Sequence, residues 1–189
     1  MSGVFRKVDE RLVHQGAVVG FYESTFEGPG GERFTRDVVR HPGAVSVVAV
    51  TDDRHVLLVR QFRAAMETHL LEIVAGKRDV PDEDPVLTAQ RELVEEVGHM
   101  AATFEKLVAF AQSPGFCDEV NHVYLATGLV ETETENQGIE EQHMTIERVP
   151  LDDVRSMIAE GLIVDAKSIV GLLLALDRLG EGPTQPDRA

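Results

Sequence analysis

The sequence predicts an α+β fold, in which a mixed β-sheet carries a few helices and a small antiparallel β unit precedes it. Runs rich in β-branched residues, bounded by turn residues, recur along the chain and are typical of strands. Helical periodicity is confined to residues 84–98 and to the region after residue 150. With 189 residues, 43% hydrophobic and 27% charged, the chain is large enough for one globular domain and one small extra element.

The N-terminal unit is predicted from two extended segments. Residues 13–23 and 33–40 are extended in character, and a Gly-Pro-Gly-Gly turn lies between them. We therefore expect a β-hairpin unit over residues 1–41, followed by the main domain over residues 42–180. The polar, proline-containing tail, residues 181–189, is expected to be disordered.

The main domain is predicted to combine strands with three helices. The expected strands are residues 44–50, 55–60, 70–74, 104–110, 120–126 and 144–149, with the first two joined as a hairpin. Besides the helix over residues 84–98, residues 152–160 and 166–179 are amphipathic and predicted to be helical. The leucine-rich stripe of the last helix is expected to face the core or a subunit interface.

The helix over residues 84–98 has recognisable signals at both ends. Asp84 is a suitable N-cap, and Pro85 suits the first helical position, where its missing N–H is harmless. Gly98 can adopt the positive φ that follows a helix C-terminus. At about 100° per residue, the apolar side chains form one stripe, which is predicted to be buried: Val86, Ala89, Leu93 and Val97.

Three glutamates share another flank of this helix. Glu92, Glu95 and Glu96 repel one another, and a single like-charged i,i+4 pair costs about 0.2–0.5 kcal/mol. Arg91 offsets part of this repulsion through its i,i+4 relation to Glu95. Hard cations such as Mg²⁺ and Mn²⁺ bind carboxylate and carbonyl oxygens and would neutralise the cluster. From these residues alone, a solvated acidic surface remains the alternative.

The residues around this helix resemble the Nudix box, G-x5-E-x7-R-E-U-x-E-E-x-G-U, in which U is a bulky apolar residue. The matching positions are Gly76, Glu83, Arg91, Glu92, Leu93, Glu95, Glu96 and Gly98. Six residues rather than five separate Gly76 from Glu83, and His99 stands at the last apolar position. Neither departure changes the carboxylates.

Other segments are similar to the ADP-ribose pyrophosphatase branch of the Nudix family. They are residues 40–45, 59–63, 71–76 and 113–119. In that branch a proline at a fixed distance past the last box glycine is associated with ADP-ribose, and here Pro114 lies 114 − 98 = 16 residues past Gly98. The resemblance implies an α/β/α sandwich and a Mg²⁺-dependent hydrolase, with Mn²⁺ as the other candidate ion. It would split ADP-ribose into AMP and ribose 5-phosphate.

The resemblance also implies which residues hold the metal. Glu92 and Glu96 would be the principal ligands, with Glu95 assisting and the backbone carbonyl of Ala75 completing the site. Arg91, together with Glu83, would orient the ligating carboxylates, as outer partners of metal ligands do.

A general base is implied on a loop after the box. Glu141 is the preferred candidate and its neighbour Glu140 the second, although both would also suit an ordinary acidic loop. His143 is a further candidate because of its unperturbed pKa.

Substrate contacts are implied at scattered positions. Arg60 and Arg63 would neutralise the diphosphate, and Arg63 matches the family position better. Glu72 and Glu119 would accept hydrogen bonds from ribose hydroxyls, and Phe116 would pack on the sugar or base. Ordinary surface side chains are the alternative at each position.

The adenine contact is expected in the N-terminal unit. Members of this branch often form homodimers whose N-terminal sheets reach the partner's site, so Phe21 or Tyr22 would stack on the base. Packing within the small sheet is the alternative for both rings.

Composition excludes several other classes of protein. The formal net charge of −15 argues against a nucleic-acid partner, which normally requires a basic surface. The single Cys117 rules out an intramolecular disulfide and suits a reducing cytoplasm. We see neither a signal peptide nor a membrane-spanning apolar run, and we expect a cytoplasmic protein.

Two other functions stay open on the sequence. The first is a Nudix pyrophosphatase for another substrate, such as ADP-glucose, GDP-mannose or NADH. The second is a non-catalytic sensor that binds ADP-ribose, although the chain retains the box carboxylates that such modules often lose.

Overall fold

The computed structural model describes residues 4–133 and 143–180. The base candidates Glu140 and Glu141 and the tail 181–189 lie outside the described residues. The chain divides into two compact units. The first comprises Met1–Gly43 and Phe110–Val120, and the second comprises Ala44–Ala109 and Asn121–Ala189.

The first unit contains a three-stranded antiparallel sheet of β1 (Arg6–Gln15), β2 (Gly20–Glu27) and β3 (Arg33–Arg40). The prediction of one strand over residues 13–23 was therefore wrong. The chain reverses within that segment, where the Gly16 amide donates to the Val19 carbonyl at 2.9 Å. Most side chains of β1 are exposed, so its sequence lacks the apolar alternation that marks a half-buried strand.

The second unit contains a six-stranded sheet in the order β7-β8-β4-β6-β5-β9. Its strands are β4 (Ala44–Val50), β5 (His55–Arg63), β6 (Thr68–Lys77), β7 (His99–Ala111), β8 (Val120–Glu131) and β9 (Thr145–Pro150). Strand β4 runs parallel to β8 and antiparallel to β6, so the sheet is mixed, as predicted.

The predicted β4–β5 hairpin opens almost at once. The two strands pair only at Ala49–Leu57 and Val50–Val56 before β6 inserts between them. Strand β6 then pairs with β4 through Val74–Lys77 and with β5 through Thr68–Ile73. Because β6 is central, its C-terminal end lies next to β4 in the middle of the sheet.

The helices are α1 (Pro85–Val97), α2 (Val154–Ala159), which follows a 3-10 turn, and α3 (Ala166–Arg178). Ala89 and Leu93 of α1 pack in a cluster that includes Val47 and Val74. In contrast, Gly171 of α3 lies against Val48 and Ile73.

Val47 and Val48 are consecutive residues of β4, and Ile73 and Val74 are consecutive residues of β6. Because consecutive strand residues point to opposite faces, α1 and α3 cover opposite faces of the sheet. This is the helix–sheet–helix layering that the resemblance implied. Within residues 4–133 and 143–180, no helix is long and apolar enough to cross a membrane.

Candidate active site

Helix α1 begins and ends as predicted. The Asp84 side chain accepts a hydrogen bond from the Val86 amide at 3.1 Å, and Pro85 opens the helix. Gly98 has φ 63° and donates its N–H to the Val94 carbonyl at 3.0 Å. The predicted stripe residues Ala89, Leu93 and Val97 are buried, whereas Val86 is partly buried against the same cluster. The caps fix the register in which the glutamates face the sheet.

Glu92 lies directly against Gly76 at the C-terminal end of β6. A Cβ atom built on Gly76 would lie 1.9 Å from the Glu92 carboxyl carbon and 2.0 Å from its Oε1. Any side chain at position 76 would therefore displace the carboxylate. The box glycine is required here by close approach of a side chain.

Glu96 lies one helical turn further along α1 and faces the preceding residue of β6. Its Oε2 accepts a hydrogen bond from the Ala75 amide at 3.2 Å, and the residue is only 5% exposed. Two of the predicted ligands, Glu92 and Glu96, thus meet β6 at consecutive residues, one of which is Ala75. The structure brings together the part of the site predicted from helix spacing and the part predicted from the strand end.

The oxygen donors at this point suit a hard divalent cation. Among residues 4–133 and 143–180, no three His, Cys, Asp or Glu side chains form a group that could hold a metal ion by themselves. An ion such as Mg²⁺ does not need such a group, because it usually binds one or two carboxylates and keeps several waters or substrate oxygens. Glu92, Glu96 and the Ala75 carbonyl therefore fit an ion that completes its coordination with water or substrate.

Arg91 is held by acidic side chains from the loop before α1. Its Nη1 donates to both carboxylate oxygens of Glu83, at 3.1 and 3.2 Å, and its Nη2 donates to Asp79 at 3.2 Å. Thr88 donates to Glu83 at 2.6 Å, and the Arg91 Nε lies 4.0 Å from a Glu95 oxygen. These contacts tie the loop to α1 beside the glutamate flank.

The Glu83 carboxylate is held in its ionised form. The hydrogen bond from Thr88 is the largest cause that lowers the pKa of Glu83, and Arg91 lowers it further, while partial desolvation opposes them. An ionised Glu83 is the acceptor that Arg91 needs. The supporting role predicted for both residues stays a prediction.

A second charged group, which we call the strand cluster, consists of Arg63, Glu72, Asp165 and Lys167. Glu72 is 1% exposed and accepts from Arg63 Nε at 2.8 Å and from Arg63 Nη2 at 2.5 Å. Lys167 Nζ donates to the same Glu72 carboxylate at 2.5 Å and to Asp165 at 2.8 Å. Burial alone would raise the pKa of Glu72, but Arg63 and Lys167 outweigh it, and the pKa is lowered.

The strand cluster lies within electrostatic reach of the glutamate flank. The pKa of Arg63 is raised, first by its hydrogen bonds to Glu72 and additionally by the charges of Glu96 and Asp165. Lys167 was not selected from the sequence, since it lies 95 residues from Glu72 on a different element. The roles predicted for Arg63 and Glu72 as substrate contacts stay predictions.

The two predicted arginines of β5 lie on opposite faces of the sheet. Arg60 and Arg63 are three residues apart in a regularly paired strand, so their side chains alternate. Arg60 donates to Glu147 of β9 through Nε at 2.5 Å and Nη2 at 3.3 Å. Only Arg63 belongs to the group that contains Glu72.

The other predicted substrate contacts belong to the first unit. The Val39 amide donates to the Phe116 carbonyl at 2.7 Å, and the Asp118 amide donates to the Val39 carbonyl at 3.2 Å. The loop that carries Pro114, Phe116 and Glu119 is thus attached to the edge of β3. The Phe116 side chain is 58% exposed.

The two aromatic candidates for adenine are neighbours on β2 and point to opposite faces of that sheet. Phe21 is opposite Val39 of β3, and Tyr22 is opposite Val38. Phe21 is 36% exposed, and Tyr22 is partly buried. Therefore at most one of these two rings can stack on a base that lies on a given face of the sheet.

Comparison with known proteins decides the family. Residues 40–169 match the NUDIX domain. The chain belongs to the Nudix family. It is thus an enzyme of the Nudix hydrolases, which generally use divalent metal ions.

Several relatives match most of the chain. An ADP-ribose pyrophosphatase of Bacillus subtilis is 37% identical over 86% of this chain and 88% of its own length. An ADP-ribose pyrophosphatase of Mycobacterium tuberculosis is 39% identical over 96% of this chain and 87% of its own length. A protein of Bacillus methanolicus named methanol dehydrogenase activator is 38% identical over 88% of this chain and 90% of its own length.

A solved structure has a similar fold. The crystal structure of an ADP compounds hydrolase superposes with a TM-score of 0.81, covering 94% of this chain and 96% of that one. At 22% identity, this similarity concerns the fold alone.

Proposed function

We propose that this Nudix enzyme hydrolyses the pyrophosphate bond of ADP-ribose to AMP and ribose 5-phosphate, with Mg²⁺ as its ion and Mn²⁺ as the second candidate. The proposal rests on two contacts near the end of β6: the Glu92 carboxylate packs against Gly76, and Glu96 accepts a hydrogen bond from the Ala75 amide. Two relatives named ADP-ribose pyrophosphatase, 37% and 39% identical, support the substrate. The position of Pro114 supports it independently.

Each box residue would have a distinct role in this reaction. The ion would shield the phosphoryl oxygens and lower the pKa of an attacking water. Glu92, Glu96 and the Ala75 carbonyl would hold the ion, with Glu95 assisting. Arg91, fixed by Glu83, would keep the glutamate flank in orientation.

The remaining roles follow from the resemblance. Glu141 would orient or deprotonate the water, with Glu140 as the second candidate for the base. Arg63 would bind the diphosphate, which an arginine can do through parallel hydrogen bonds. The loop with Pro114 and Phe116 would contact the sugar.

The protein would act as a cytoplasmic homodimer. The first unit supports the dimer, because its sheet leaves large apolar side chains exposed that a second copy would cover: Leu12 at 47%, Val13 at 47% and Phe21 at 36%. Exchange of these sheets between protomers would bring Phe21 or Tyr22 to the partner's adenine. Cys117, a free thiol, suits a reducing compartment.

A substrate panel tests the proposal. We expect kcat/KM to be highest for ADP-ribose among ADP-ribose, ADP-glucose, GDP-mannose and NADH, measured with Mg²⁺ and with Mn²⁺, because only pocket contacts distinguish these substrates. A higher kcat/KM for another member of the panel would reassign the substrate and leave the box chemistry intact. Tight ADP-ribose binding without turnover under either ion would support the sensor instead.

A pair of substitutions tests the proposed metal site. Glu96→Gln keeps the size of the side chain and removes its charge, so ADP-ribose hydrolysis should fall by about 100-fold, the upper range for loss of a group that supports a metal. Glu160→Gln makes the same change at an exposed position after α2 and should leave the rate unchanged. An unchanged rate for Glu96→Gln in saturating Mg²⁺ shows that the site is wrong.

Hydrolysis in ¹⁸O-labelled water locates the attacked phosphorus. We expect the label in AMP, which corresponds to attack at the adenosyl phosphate. Label only in ribose 5-phosphate would contradict that choice.

A further inference from the structure

The buried carboxylate of Glu72 lies between two cations from different parts of the chain. Arg63, on the neighbouring strand β5, uses its Nε and Nη2 edge, and Lys167, in the first turn of α3, uses its Nζ. Glu72 is 1% exposed and the Lys167 side chain 10% exposed, whereas the Arg63 side chain is 39% exposed. The cluster is therefore closed on the Glu72 and Lys167 side and open on the Arg63 side.

The first turn of α3 holds β6 just before the candidate metal site. The Asp165 side chain caps the helix by accepting from the Ser168 amide at 3.2 Å. The Ser168 hydroxyl accepts from the Ile73 amide at 2.8 Å, and Lys167 binds the adjacent residue, Glu72. Consecutive residues of β6 are thus fixed by α3, three and two residues before Ala75.

The bidentate bond to Glu72 determines which part of Arg63 remains for a ligand. A guanidinium has five N–H donors in a fixed plane, and the edge formed by Nε and Nη2 is occupied by Glu72. The opposite edge, which includes Nη1, then points away from the buried carboxylate. A carboxylate held in one plane would keep that edge in one direction for a diphosphate.

We propose that Lys167 is a positioning residue that, through Glu72, orients Arg63 for the diphosphate of the substrate. The proposal rests on the proposed function, because it takes Arg63 as the diphosphate contact. Lys167 binds the same Glu72 oxygen that Arg63 Nη2 uses, so it restrains rotation of the carboxylate. It also takes up part of the Glu72 charge, which leaves Arg63 more positive toward an anion.

Stability alone does not require a lysine at this position. Removal of one partner of a buried ion pair is costly when it leaves the other charge unpaired. Arg63 already binds both oxygens of Glu72, so Lys167 adds a second cation to a carboxylate that is already paired. A role in orientation accounts for this second cation.

Replacement of the lysine tests the proposal in the full-length enzyme. Lys167→Met should raise the KM for ADP-ribose in saturating Mg²⁺ by about tenfold or more, the range typical of partners that orient binding groups, with kcat changed less than about threefold. Lys167→Arg should restore most of the affinity, because it restores a cation. Lys106→Met removes an exposed lysine from β7 and should leave both constants unchanged.

A double substitution shows whether Lys167 acts through Arg63. Arg63→Met alone should raise KM, and Lys167→Met added to it should raise KM no further, because residues that act through one another are not additive. A further rise of about tenfold in the double variant would overturn the proposal. So would an unchanged KM in Lys167→Met, or a fall in kcat alone, which a merely structural role produces.

Two controls keep the result decisive. If Lys167→Met does not fold, as judged by circular dichroism, Lys167→Gln removes the charge with a polar side chain and should raise KM in the same way. A wild-type enzyme without hydrolysis of ADP-ribose would overturn the proposed function. An active wild type with an unchanged KM in both Lys167 variants would overturn only the role of Lys167.

Discussion

The segment from Gly76 to Gly98 and the strand cluster are both charged, and they are built in different ways. In the segment, contacts join residues close in sequence, such as Arg91 and Glu83, which are eight apart. In the strand cluster, Lys167 reaches Glu72 over 95 residues. Arg91 and Glu83 of the segment stay partly exposed, with side chains 32% and 17% exposed, whereas Glu72 is 1% exposed. Charge pairs between residues close in sequence can be predicted from their spacing. Buried pairs between residues far apart in sequence can be predicted only when the fold is known.

The largest expected effect comes from breaking the strand cluster at its centre. Glu72→Gln removes the anion shared by Arg63 and Lys167, leaves Lys167 with Asp165 alone, and should lower the free energy of unfolding by about 3 kcal/mol. This is the low end for a broken buried pair, because Arg63 stays partly exposed and Lys167 keeps one partner. Urea unfolding measures this. Glu67→Gln, an exposed change in the turn before β6, should alter the stability little.

The pH dependence of stability in the wild type and in Glu72→Gln is a second test of the strand cluster. The folded-state pKa of Glu72 lies below its ordinary value of 4.5, so the ionised carboxylate stabilises the fold above that value and loses this contribution as the pH falls through the folded pKa. The stability difference between wild type and Glu72→Gln should therefore be constant near neutral pH and shrink below about pH 4.5. A difference that grows on acidification would contradict an ionised Glu72.

The segment shows how much of a site can be predicted from sequence. The caps Asp84 and Gly98 and the flank of glutamates follow from helical periodicity, because each depends only on near neighbours. The sequence also predicted a strand that ends just before Ala75 and Gly76, whereas in the structure β6 continues to Lys77. It did not show that the missing side chain of Gly76 leaves room for the Glu92 carboxylate, because that contact requires the packing of α1 on the sheet.

The strand cluster and the first unit show where sequence reasoning stops. Arg63 and Glu72 were selected separately as substrate contacts, and they meet because β5 and β6 pair as antiparallel neighbours out to Arg63 and Thr68, beyond the predicted strands 55–60 and 70–74. Strand β1 was missed because it is mostly charged and exposed. Lys167, by contrast, lies 95 residues from Glu72, so neither periodicity nor spacing predicts their contact.

The next largest effect is expected from Gly76→Ala, within the segment from Gly76 to Gly98. Gly76→Ala places a Cβ 1.9 Å from the Glu92 carboxyl carbon, so the carboxylate must move. Since a shift of about 1 Å in a positioned group can cost about 100-fold in rate, kcat/KM for ADP-ribose should fall by about that factor. Thermal unfolding should change little, because the displaced atoms end a flexible side chain.

Gly30→Ala is the matched control for this substitution. A Cβ at Gly30 would lie 2.6 Å from Oε2 of Glu32, so it also displaces a glutamate carboxylate, but one that is exposed and has no proposed role in the site. An equal loss of rate in Gly76→Ala and Gly30→Ala would show that displacement of the Glu92 carboxylate is not the reason for the box glycine.

The smallest expected effect concerns the cap that fixes the helix register. Asp84→Ala removes the acceptor of the Val86 amide and should lower the free energy of unfolding by about 1 kcal/mol, the usual cost of losing an N-cap. Gln90→Ala, at an exposed position within α1, should cost nothing, because alanine has a high helix propensity. A loss of about 3 kcal/mol in Asp84→Ala, equal to that expected for Glu72→Gln, would erase the distinction between the local segment and the buried cluster.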